Sequence, residues 1–301
     1  MIRKNNSLQS TNISPVKGIA LLACIFIFCS VITSVIVSFL ITHMTAAGTA
    51  MEKSGAAMRI SIVIQDVFVF IIPAVATAVI MTRLPAKFLD IDNAPRPSLL
   101  LLAIATLLAA FPLLNCIVAW NENIHLPAAY SELETHLRSL EDAAGSTFDS
   151  ILSSSSVYSL ILSILIVGVL AGLSEELFFR GALQKLLTLT RMNPHVAIWL
   201  AAFIFSAVHF QFFGFVPRMI LGAYFGYLVW WTRCLWIPII VHAVNNSIVV
   251  VSKWIEERSG QGCAIDSIGS DPFTSTTSMI AIALSIVLTV VLLITLKKES
   301  K

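Results

Sequence analysis

Eight apolar runs of roughly membrane-spanning length dominate this chain, at about 18–42, 60–82, 97–120, 157–179, 195–210, 217–232, 235–254 and 278–296. In a bilayer each run must satisfy its own backbone hydrogen bonds, as helices do. Of 301 residues, 57% are hydrophobic and only 12% charged, against about a quarter charged in a soluble domain. The implied fold class is all-α, a polytopic membrane helix bundle with about eight transmembrane helices. The net charge of +2 comes with no basic, aromatic-rich patch, so nucleic acid is not an expected partner. The expected partners are the lipid bilayer and a membrane-associated peptide or protein.

Four of the five cysteines (Cys24, Cys29, Cys116, Cys234) lie in or beside apolar runs, and no CxxC pair exists. Neither a disulfide framework nor a cysteine-based zinc site is supported. The first run is too long for the apolar region of a signal peptide and reads as an uncleaved anchor.

Loop charges set an orientation. Arg3, Lys4 and Lys17 precede the first run, and Arg83, Lys87 and Arg96 fill the 83–96 loop. Lys185 and Arg191 follow the fourth run, and Lys297, Lys298 and Lys301 close the chain. Loop 121–155 instead carries Glu122, Glu132, Glu134, Glu141, Asp142 and Asp149 against Arg138 alone, and loop 255–277 is mostly acidic. Basic and acidic loops alternate as eight crossings require, which places both termini in the cytoplasm, with a bacterial inner membrane as the expected location. Three regions are expected: 1–150 with three spans and an outer loop, a helical catalytic core at 151–255, and 256–301 with an outer loop and the last span. Within loop 121–155, "LPAAYSELETHLRSLEDA" reads as a short surface helix.

Chemistry-bearing residues concentrate in the middle region. "GLSEELFFRGAL" sets Glu175, Glu176 and Arg180 directly after the uncharged "VYSLILSILIVGVLA", where each charge costs several kcal/mol to desolvate. On a helix Glu176 and Arg180 share a face in the favourable order for an ion pair. Glu175 is turned about 100° away and has no such partner. "AAFIFSAVHF" places Phe205 one turn before His209, where its ring can buttress the imidazole. "WIPIIVHAVNNSIVV" places His242 one turn before Asn246.

Spacing brings these together. "TRMNP" (190–194) reads as the turn of a helical hairpin; Glu175 lies 17 residues before Met192 and His209 lies 17 after it. The two would face each other at one height, with His242 within a turn or two of that level. Taken singly, each position has a structural explanation: a buried salt bridge, an interfacial histidine, an interhelical hydrogen bond. Convergence of all three is harder to explain that way.

Glu175-Glu176-x-x-x-Arg180, Phe205-x-x-x-His209 and His242-x-x-x-Asn246 resemble, in order, the three motifs of the CAAX prenyl protease and bacteriocin-processing (Abi or CPBP) family. The resemblance covers about residues 155–255 and includes "GALQ" and "LWIPIIVHAVNNS". It implies an intramembrane endopeptidase in which Glu175 and His209 activate water and His242 and Asn246 stabilise the oxyanion. Glu176 and Arg180 would hold the helix that presents Glu175. The residues themselves agree: a carboxylate in an apolar cavity can serve as a base, and imidazole and amide donors on one face can meet a developing charge. No cofactor is favoured. A zinc-dependent version would draw on Glu175 or Glu176, His209 and His242, but HExxH is absent and each helix offers few firm ligands.

Two other functions fit the composition. Asp66, Glu175, His209 and His242 could form the relay of a proton-coupled transporter, although no repeated halves are visible. A non-catalytic immunity or scaffold protein could keep the same fold. Of the remaining features, Asp66 reads first as a hydrogen-bonded interhelical residue, Arg218 as a membrane-boundary residue within reach of a substrate carboxylate, and Gly222-x-x-x-Gly226 as a close helix contact.

A reporter fused within 121–155 is expected to lie outside, and reporters at both termini in the cytoplasm. A cytoplasmic signal from 121–155 would reverse the whole orientation.

Overall fold

The computed structural model describes residues 13–46, 52–152, 156–260, 263–271 and 275–301. Arg3 and Lys4, used above for orientation, lie outside them. Every regular element among the described residues is helical. After α1 (Pro15–Ala46), one rod is built from α2 (Glu52–Gln65), a π-helical segment π1 (Asp66–Ile71) and α3 (Ile72–Met81). The short α4 (Pro85–Phe88) precedes α5 (Pro97–Glu122) and the amphipathic α6 (Ser131–Leu152). A second composite rod contains α7 (Val157–Ser163), π2 (Ile164–Leu170), α8 (Ala171–Glu176), π3 (Leu177–Gln184) and α9 (Lys185–Leu189). Then come α10 (Pro194–Ala207), α11 (Phe215–Thr232), α12 (Trp236–Ser259), α13 (Ala264–Ser267) and α14 (Thr276–Glu299).

Six of these stretches are long and apolar enough to cross a membrane: Pro15–His43, Gly55–Met81, Pro97–Glu122, Val157–Leu189, Trp236–Ser259 and Thr276–Glu299. The fifth and sixth expected spans, now α10 and α11, are not among them. Helix α10 has 14 residues, a rise of about 21 Å, short of a hydrocarbon core of about 30 Å. Helix α11 has 18, a rise of about 27 Å, and interrupts its apolar residues with Arg218, Tyr224 and Tyr227. The two pack along each other as an antiparallel hairpin.

The expected turn before α10 is present. Helix α9 ends at Leu189, Arg191 turns the chain at a left-handed φ of 69°, and the Asn193 side chain accepts from the His195 backbone N–H at 2.9 Å. Pro194 opens α10, where its missing N–H leaves no helical bond unmade.

Aromatic rings lock the first rods to the second. Phe26 of α1 meets Phe178 of π3 at 5.1 Å, Phe70 of π1 meets Phe178 at 5.7 Å, and Phe179 meets Phe205 of α10 at 5.1 Å. These geometries are tilted or edge-on, as ring quadrupoles prefer. On the other side α14 packs along α5.

The turn joining α10 to α11 is held by polar side chains from elsewhere. Asn121 of α5 donates Nδ2 to the Phe212 carbonyl at 3.2 Å and accepts the Val216 N–H on Oδ1 at 2.9 Å. Ser206 donates to the Phe215 carbonyl at 2.7 Å, and Glu141 of α6 accepts the Phe213 N–H at 3.2 Å. Helix α6 is therefore more than the short surface helix expected. It runs for 22 residues and sets Arg138 over the Phe213 ring at 4.0 Å. Its own start is fastened by Glu134, whose carboxyl is held down at about 2 by the Leu126 backbone N–H, Arg138 and His125.

Gly222 and Gly226 let α11 approach closely. A Cβ at Gly226 would sit 2.6 Å from Gln184 Oε1 and 2.9 Å from Ile198 Cγ2. Gly226→Val is expected to destabilise the protein by about 1–3 kcal/mol through overpacking, read as a lower melting temperature in detergent. A variant that melts with the wild type would show that α11 can move away without loss.

Candidate active site

The charges of the opening motif divide sharply in exposure. Glu176 and Arg180 are 0% and 1% exposed, and they meet as expected, Arg180 Nη1 to Glu176 Oε1 at 2.7 Å. Arg180 Nη2 donates to the Gly222 carbonyl at 2.9 Å, an approach that the missing side chain of Gly222 permits. One turn on, Gln184 Nε2 repeats the contact at the Gly226 carbonyl, 3.0 Å away. The Arg180 guanidinium lies over the Phe205 ring at 4.5 Å and near Phe225 at 5.5 Å. A cation this deep needs an opposite charge, hydrogen-bond acceptors and aromatic faces around it; Nη1 and Nη2 have acceptors, and Nε has none.

Glu176 has a second partner that helical spacing could not reveal. The same Oε1 lies 2.8 Å from His242 Nδ1 on α12. A carboxylate only accepts, so Nδ1 carries a proton and Nε2 points the other way. That nitrogen lies 3.7 Å from Glu175 Oε2. Phe225 stacks on the His242 ring at 4.7 Å, and Phe205 meets it edge-on at 6.0 Å. The imidazole is fixed in rotation and direction.

Glu175 faces the open side. Its side chain is 13% exposed and His209 26%. His209 Nε2 lies 3.9 Å from Glu175 Oε1. His209 Nδ1 donates to the Phe205 carbonyl at 2.8 Å, which leaves the Nε2 lone pair turned toward Glu175. Phe205 also meets the His209 ring edge-on at 5.2 Å, the buttress that the four-residue spacing suggested. Glu175, His209 and His242 thus converge from α8, the end of α10 and α12.

Asn246 is placed differently from the rest. Its Nδ2 donates to the Val167 carbonyl of π2 at 3.1 Å, and its Oδ1 accepts from Asn245 at 3.2 Å. Its amide already bridges two helices. Asp66 is 3% exposed and accepts from Ser174, the residue before Glu175, at 3.1 Å, an interhelical bond of the kind expected.

Tetrahedral zinc with ligands at about 2.1 Å would set neighbouring ligand atoms about 3.4 Å apart. The 3.7 and 3.9 Å separations around Glu175 are wider, and Glu175 meets the two imidazoles through different oxygens.

Residues 157–248, which hold all three motifs, match the family described as type II CAAX prenyl endopeptidase Rce1-like. A stretch of 89 residues, 28% of this chain, is 27% identical to the uncharacterized protein YpbD of Bacillus subtilis (strain 168). That alignment covers 42% of YpbD, less than half of the relative's length. No solved structure matches.

Removing Arg180 would leave Glu176 buried beside one imidazole alone. Arg180→Ala is expected to cost about 3–5 kcal/mol and to lower the yield of folded protein together with any activity. Wild-type abundance and melting temperature in this variant would count against the pair as a structural element.

Proposed function

We propose that this chain is a membrane-embedded endopeptidase that hydrolyses a peptide bond with water activated by Glu175 and His209. The observation that supports this most is the arrangement of two carboxylates at one level with opposite surroundings. Glu176 is sealed and neutralised, whereas Glu175 stands open beside two imidazole Nε2 atoms.

A water hydrogen-bonded at about 2.8 Å to both Glu175 Oε1 and His209 Nε2 would span the 3.9 Å between them. Glu175 accepts its proton as the oxygen attacks the scissile carbonyl. The tetrahedral intermediate then expels its amine, which takes the proton from Glu175; one fragment ends as a carboxylic acid, the other as an amine. For His242 to donate from Nε2 to the oxyanion it must be protonated on both nitrogens. Glu176 stabilises that imidazolium through Nδ1, as the buried aspartate of a serine-protease triad does for its histidine. In this state Glu175, Glu176, Arg180 and His242 sum to zero charge, the condition a low-dielectric site favours. Asn246 adds its second amide N–H to the oxyanion while keeping its bond to Val167.

In this reading α10 with the turn 208–214 that extends it, followed by α11, completes eight passages of the chain, with both termini on the cytoplasmic side of a bacterial inner membrane. The substrate is a membrane-delivered peptide or protein, prenylated near its C-terminus if it follows the family's name. The chemistry needs no cofactor.

Cleavage of such a peptide in detergent tests the mechanism. Glu175→Gln is expected to lower the rate by about 10²-fold or more with an unchanged melting temperature. His209→Ala should match it, and the double variant should lose little further. Asn246→Ala should lower kcat by about 10²–10³ at modest change in KM if it donates to the oxyanion, and lower the melting temperature instead if it only bridges helices. Full activity in Glu175→Gln would overturn the mechanism. Loss in chelator with recovery in zinc would recast Glu175, His209 and His242 as ligands.

A further inference from the structure

Arg218 lies on α11 just past the turn that carries His209, and the reaction above does not use it. It is half-buried. Its Nη2 donates to Gln211 Oε1 at 2.6 Å, a neutral acceptor on the same turn. Its Nη1 is buried with no hydrogen-bond partner. Arg218 is close enough to interact electrostatically with Glu175 and with His209. Glu141 of α6 is the carboxylate that acts on Arg218 most strongly, and one of its oxygens accepts the Phe213 N–H.

An unmade hydrogen bond on a buried charged group is costly. Arg180, joined to α11 through Gly222, also leaves its Nε unmade, but its other nitrogens meet a carboxylate and a carbonyl, whereas the hydrogen bond that Arg218 makes is to an amide oxygen. Arg218 therefore sets a positive charge beside the site, shared between Glu141 and Glu175, with one donor unmade. The planar fork of a guanidinium matches a carboxylate best.

We propose that Arg218 is a substrate-binding residue that takes a carboxylate of the peptide being cut, either its C-terminal carboxylate or an Asp or Glu side chain. Gln211 orients the guanidinium from the turn, so the anion and the attacked bond are registered against each other across one short loop. The assignment rests on the endopeptidase reading of the same site.

The probe is a pool of N-acylated decapeptides of randomised sequence. Each is made with a free C-terminal carboxylate and as the amide, and with and without Asp or Glu. Cleavage by purified full-length protein in detergent is read by mass spectrometry, with Glu175→Gln as the blank. Wild type is expected to prefer one carboxylate-bearing class by about tenfold or more, the scale of one charge-assisted hydrogen bond. The amide arm identifies a C-terminal carboxylate, and the acid-free arm a side chain. Arg218→Gln should abolish that preference and Arg218→Lys should retain part of it. The preference is a ratio within each variant, so a lower folded fraction does not alter it. No preference in wild type, or the same preference in Arg218→Gln, overturns the assignment while leaving the endopeptidase intact. No cleavage above the blank overturns the endopeptidase reading itself, and this assignment with it.

Discussion

One carboxylate oxygen organises the centre of this protein. Glu176 Oε1 receives the Arg180 guanidinium at 2.7 Å and the His242 imidazole at 2.8 Å, and so joins α8, π3 and α12 at a single atom. Through Arg180 it also reaches α11 at the Gly222 carbonyl. Burying this charge is unfavourable by itself. Its return is direction: the His242 ring cannot rotate without breaking the bond, and the rings of Phe205 and Phe225 close the remaining freedom. What is left of His242 is one nitrogen, aimed at Glu175.

In the proposed reaction the adjacent glutamates divide two tasks that one group could not perform together. A carboxylate sealed between a guanidinium and an imidazole is out of a substrate's reach. A carboxylate that exchanges protons leaves its neighbours without a fixed anchor. The turn of about 100° per residue points Glu176 into the bundle interior and Glu175 toward the open side, and the two π-helical segments flanking α8 frame this short stretch of regular helix. Such widened turns recur at functional sites.

Much of this was legible in the sequence because it depends on local spacing. The Glu176–Arg180 pair, the Phe205–His209 contact, the turn at Asn193–Pro194 and the level of Glu175 with His209 all follow from helical repeat and turn chemistry. Four features were not legible, each for a physical reason. The Glu176–His242 bond joins residues 66 positions apart, and no periodicity encodes which of two glutamates a distant helix will meet. The donation from Asn246 to the Val167 carbonyl in π2 joins residues 79 positions apart, and helical spacing does not name that acceptor. The span count was set by apolar composition alone, which does not register that α10 ends after 14 residues. The docking of α6 depends on the Glu141 contact with Phe213 and the stacking of Arg138, both made across the fold.

The shortness of α10 bears on where the reaction's second reactant comes from. Hydrolysis consumes water, and the interior of a bilayer holds almost none. Helix α10 begins at the same turn that ends α9 and stops after about 21 Å, so its last carbonyls lie below the level a full crossing would reach. A helix end is polar ground that lipid chains cannot satisfy. His209 is the second residue beyond that end. In the proposed hydrolysis, the interruption of the backbone that sets the imidazole opposite Glu175 is also the place in the bundle where solvent would be held at least cost, so the position of His209 and the supply of water would have a common origin in one truncated helix.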